Sequence, residues 1–105
     1  MKVREAMEGA GMMQVICQQW EESERGWGVR PDGYSLHRDQ ASLDAYLKRY
    51  WDEMPKLVPD EYERPCGHAY AVYVNKGVYE DLQAKDGMRF YSGGSPEPNE
   101  VVEVK

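Results

Sequence analysis

The segment Glu21–Gly33 (EESERGWGVRPDG) gathers the residue types that hold a planar anion. Trp27 lies between Gly26 and Gly28, with Arg25 and Arg30 on either side. An indole stacks on a flat base, and guanidinium groups take phosphate oxygens two at a time. Backbone N–H groups of a glycine-rich turn add further anion contacts. Ser23, Tyr34 and His37 are close enough in sequence to supply hydrogen bonds. The segment has neither the Walker spacing nor GxGxxG, so it is not an established phosphate loop. The plainer reading is that Trp27 plugs the core and that Arg25 and Arg30 pair with Glu21, Glu22 and Glu24.

Other chemistry is thinner. Strand alternation puts Ser35 and His37 on one face, as a nucleophile and base would need. The plainer reading is that His37 caps its strand or hydrogen-bonds a ligand. Cys66-Gly-His68 is a fragment of a zinc site, but zinc takes three or four ligands. The spare partners, Cys17 and His37, fall on separate elements, so no metal and no cofactor is expected. Acidic clusters at Glu21/Glu22/Glu24, Asp52/Glu53 and Asp60/Glu61/Glu63 read as solvated surface or, more sharply, as spaced charges that imitate phosphates.

These residues need elements to position them. At 105 residues the chain is about one domain and buries roughly two thirds of its unfolded surface. Net charge is −6, and no basic patch is visible, which argues against direct nucleic-acid binding. Eight Tyr and three Trp against one Phe favour half-buried faces and binding surfaces over a dry core. Two cysteines, one in an apolar run, make no disulfide framework. Charges and glycines break Met1–Met12, so it is no signal peptide, and no apolar run nears the ~20 residues of a membrane span. A cytoplasmic protein is expected.

Residues 1–12 read as a leader, 13–91 as the domain and 92–105 as a tail that is flexible or adds an edge strand. Met13–Trp20 and Tyr34–His37 alternate as strands, with Glu21–Gly33 as a long loop between them. From Gln40 to Met54, Leu43, Tyr46, Leu47, Tyr50, Trp51 and Met54 form a helical stripe, with Asp39 as N-cap and Pro55 as the stop. Ala69–Val74 is the third strand, after an irregular stretch Lys56–His68. Asn75 caps a helix over Lys76–Lys85, and Met88–Tyr91 is a last short strand. The expected fold is α+β, in β-β-α-β-α-β order, with two helices packed on one face of a small, mainly antiparallel sheet.

ESERGWGVRPDGYSLH, the helix ending YWDEMP, and PDEYERP together resemble short uncharacterised proteins of bacteriophages and prophages, over about Met13–Tyr79. No catalytic residue carries over from them. The resemblance implies a host bacterial cytoplasm and a counter-defence role. The leading expectation is then a non-enzymatic protein that sequesters a small anionic, nucleotide-like immune signal. Ser23, Arg25, Trp27, Arg30, Tyr34 and His37 would contact it, in a pocket between two copies of a homodimer. The alternative is an acidic inhibitor that docks on a host defence protein such as a CRISPR effector. A hydrolase using His37 is the third reading.

Overall fold

The first strand does not stop at Trp20. In the computed structural model, which describes residues 11–24, 28–57, 59, 61–90 and 101–103, β1 spans Met13–Glu24 and β2 spans Gly28–His37. They pair antiparallel, with Glu22 opposite Arg30 and Glu24 opposite Gly28. The expected long loop is therefore the far half of a hairpin. Gly33 does not turn the chain round. With φ +80° it forms, together with Asp32, a bulge opposite Trp20, and pairing resumes at Pro31. Beyond β4 this part of β2 is a sheet edge among the described residues, a position that tolerates proline.

Helix α1 spans Gln40–Glu53, and strand β3 spans Glu61–Val74. Helix α2 spans Lys76–Gln83, β4 spans Met88–Phe90 and β5 spans Val101–Glu103. The sheet order is β4-β2-β1-β3-β5, and every pair is antiparallel. The α+β class and the β-β-α-β-α-β order are as expected, and the tail adds the edge strand β5. Asp39 and Asn75 cap the helices, each accepting a backbone N–H from three residues on, Ser42 at 2.8 Å and Val78 at 2.9 Å.

Strand β3 is more than twice its expected length and absorbs most of the stretch read as irregular. Gly67, at φ +70°, lies in a second bulge, between Cys66 opposite Gln19 and Tyr70 opposite Cys17. Both bulges meet the same stretch of β1. The buried Gln18 side chain fills the break, donating to the carbonyls of Cys66 at 3.1 Å and Gly67 at 3.3 Å. Among the described residues β5 pairs only with Val72–Val74, which leaves a long outer edge on β3, but Pro65 and the bulge make it a poor template for another strand.

The helices lie on opposite faces, not on one. Residues paired across a ladder share a face, and neighbours along a strand alternate. Val15, Cys17, Leu36, Val72 and Val74 share one face and pack with Leu82, Val78 and Tyr79 of α2. Trp20, Ser35 and His37 share the other, where Tyr46 and Tyr50 of α1 meet the Trp20 and His37 rings. Leu36 and His37 are adjacent in sequence and both wholly buried, which requires cover on both sides. Trp51 departs from the expected stripe and stands 43 % exposed.

The helices cover mainly the body of the sheet, and Tyr50 of α1 reaches the Glu63 carbonyl at the start of the arm. Glu21–Glu24, Gly28–Pro31 and Glu61–Arg64 continue past the body as this three-stranded arm, and the long dimension is 49 Å against 26 and 22 Å. Among the described residues, no helix is long and apolar enough to cross a membrane.

Candidate functional site

Four of the six expected ligand contacts fall among the described residues, and these four do not converge. Arg25 and Trp27 lie outside the described residues. Ser23 sits in the arm between Val29 and Tyr62. Arg30 is on the opposite face of the arm, beside Glu22. Tyr34 belongs to the α2 side, where its ring lies 5.0 Å from Phe90. His37 is on the α1 side and wholly buried. Alternation separates Ser23 and Tyr34 from Arg30 and His37, so no single ligand touches all four.

Arg30 answers the question its sequence neighbours raise. The β1–β2 register sets it against Glu22, and its guanidinium lies 3.1 Å from the Glu22 carboxylate and 2.6 Å from that of Glu24. Those two acids hold its proton more firmly than usual, the hydrogen bond to Glu22 first. On the other face Glu21 pairs with Arg64 at 2.5 Å, which holds its carboxyl below the ordinary range. The arm's glutamates thus engage its described arginines, Arg30 and Arg64.

His37 belongs to a closed polar network. Its Nδ1 lies 2.8 Å from the Asp86 carbonyl, which can only accept, so Nδ1 carries the proton. Nε2 then accepts from Ser35 Oγ at 2.7 Å, and Ser35 Oγ accepts from Trp20 Nε1 at 2.8 Å. Every partner is used when the imidazole is neutral. Burial lowers its affinity for a proton, opposed by the Asp86 carbonyl. Gly87 permits the contact: a Cβ there would lie 2.5 Å from His37 Cε1 and Nδ1. The Ser35–His37 pairing is real, but it lies in the core, where a substrate has no access.

Sequence reasoning missed a third cluster on the same face as Trp20. Arg89 of β4 carries a 9 % exposed side chain near Glu63 of β3 (3.3 Å) and Asp32 of β2 (3.9 Å). Its guanidinium stands 5.0 Å from the Trp20 ring centre. The bulge at Asp32-Gly33 brings Asp32 to this place. One signal was available: alternation in Met88-Arg89-Phe90 sets Arg89 opposite two apolar neighbours, across from Ser35.

Across the sheet, a groove of about 230 Å3 is lined by Gln19, Trp20, Glu21, Val29, Arg30, Pro31 and Cys66. Cys66 is exposed and donates to Glu21, which raises its thiol above the usual value. No disulfide joins it to Cys17. Among the described residues, no three His, Cys, Asp or Glu side chains are placed to hold a metal ion.

No protein-family model matches the chain, and neither a curated protein nor a solved structure shows significant similarity to it.

Proposed function

We propose that the protein is a non-enzymatic binding protein whose three-stranded arm docks on a basic surface of a partner protein. The observation that carries this is the engagement of Arg30 by Glu22 and Glu24. A phosphate ligand would have to displace both carboxylates. A basic partner instead meets Glu22 and Glu24 against the single charge of Arg30, an acidic balance within a chain of net charge −6. Charge of this kind steers association and fixes specificity. The resemblance to short phage and prophage proteins would make the partner a host defence protein and the setting the bacterial cytoplasm.

Decaarginine is a suitable probe. Its association should weaken steeply with salt and several-fold more in Glu22→Gln/Glu24→Gln. Equal binding by the double variant would sink the proposal.

The sequestration reading keeps one supporting observation, the groove beside Val29, Arg30 and Pro31. Its volume falls below the roughly 300–1,000 Å3 of small-molecule pockets, so it needs a second copy to complete it. A thermal shift with a cyclic dinucleotide, lost in Trp27→Ala, would restore it to first place.

A further inference from the structure

Arg89 reaches from the edge strand β4 over β2 and the Trp20 ring to a carboxylate on β3. Its guanidinium donates to the main-chain carbonyls of Asp32, Tyr34 and Phe90 at 2.7, 3.1 and 2.6 Å. The same group faces both the Glu63 and the Asp32 carboxylates. One cation therefore serves two acids, whose side chains are only 24 % and 19 % exposed. Two carboxylates so close and so shielded do not both ionise cheaply beside one guanidinium, whereas one proton between them makes the cluster neutral.

The surroundings push the same way. Glu22 stands opposite Glu63 on β1 and adds like charge, while Arg30 is engaged by Glu22 and Glu24. From α1, Tyr50 donates its hydroxyl to the Glu63 main-chain carbonyl, and Arg89 is the cation that faces the carboxyl. Burial, and then the hydrogen bond with Asp32, raise the Glu63 carboxyl to about 7.

We propose that Asp32, Glu63 and Arg89 form a proton-operated latch that fastens the arm to the body of the sheet. With one proton shared, a neutral, hydrogen-bonded cluster ties β2, β3 and β4 together across the bulge. When the proton leaves, the two carboxylates repel, Glu63 turns to solvent, and the arm loosens and gains one negative charge. Consequences for partner docking rest on the function proposed above; the latch itself does not.

Amide hydrogen exchange of the full chain at pH 6 and pH 8, corrected for intrinsic rates, tests it without any partner. In the wild type, amides of Glu21–Glu24, Gly28–Arg30 and Tyr62–Arg64 should lose protection by roughly tenfold at pH 8, the effect of about one unit of carboxyl titration. Amides of Val15–Cys17 and Ala71–Val74 should not. Glu63→Gln keeps a neutral donor toward Asp32 and should hold the arm's protection at pH 8. An equal pH response in wild type and Glu63→Gln would overturn the latch, as would a Glu63 carboxyl carbon titrating near its ordinary value in 13C NMR. Failure to bind a basic partner would overturn the docking proposal alone.

Discussion

Arg30 lies 2.6 Å from Glu24 and directly opposite Glu22 in the β1–β2 ladder, so the arm's own acids take up the cation that seemed suited to phosphate. The pair is exposed, with the Arg30 side chain 65 % accessible, so its worth to stability is small. Arg30→Gln should leave the urea midpoint nearly unchanged. The same substitution should tighten decaarginine binding, since it unmasks Glu22 and Glu24. Weaker binding of that peptide would show that Arg30 itself makes the productive contact.

Gly87 leaves room for the His37 ring and nothing more. In Gly87→Ala the new methyl group meets Cε1 and Nδ1 at 2.5 Å and Tyr46 Cδ2 at 3.0 Å. The ring must move off the Asp86 carbonyl. Overpacking and the lost hydrogen bond together should cost about 2–4 kcal/mol in urea denaturation. A loss under about 0.5 kcal/mol, within the range of ordinary surface substitutions, would mean that the His37–Asp86 bond does not form.

Ser35 is the centre of the buried network, accepting from Trp20 and donating to His37. Ser35→Ala leaves two buried polar atoms unpaired and should cost about 2–5 kcal/mol. Trp20→Phe keeps an aromatic ring against Tyr46 and Tyr50 and removes one donor, so it should cost less. Reversal of that order would place the energy in the indole contacts and not in the hydrogen bonds.

Two groups tilt stability with pH in opposite directions. His37 is held below its ordinary 6.5, so its contribution is present above 6.5 and lost as pH falls through its folded value. Glu63 is held above its ordinary 4.5, so its contribution is present below 4.5 and lost as pH rises through about 7. In the wild type these partly cancel between 4.5 and 6.5. Glu63→Gln removes one of them, so its stability should climb more steeply with pH across that window. Parallel curves for the two proteins would contradict this.

Helix positions, caps and strand alternation were legible because they depend on neighbours in sequence. Asp39 before a 3.6-residue stripe and Val15/Cys17 alternation needed no tertiary knowledge. The two bulges were not legible in the same way. Glycine at 33 and 67 signals a turn or a bulge equally well, and only pairing across β1 decides between them. That choice made Glu21–Gly33 a loop in sequence, whereas Glu21–Glu24 and Gly28–Pro31 are paired strands in the fold. Helix placement was hidden for a similar reason: a central strand buried on both faces fits cover on either side. The Asp32–Glu63–Arg89 cluster joins three strands that no local pattern links.

Docking of the arm on a basic partner is a choice of one ligand chemistry over another. An NMR titration of the 15N-labelled chain, with decaarginine in one series and a cyclic dinucleotide in another, tests it most directly. Docking through the acidic arm requires salt-sensitive shifts at Glu21–Glu24, Gly28–Arg30 and Tyr62–Arg64 with the peptide, and none there with the dinucleotide. Saturable shifts of those amides by the dinucleotide, or peptide-induced shifts spread equally over Asp44, Asp52 and Glu53, would contradict it.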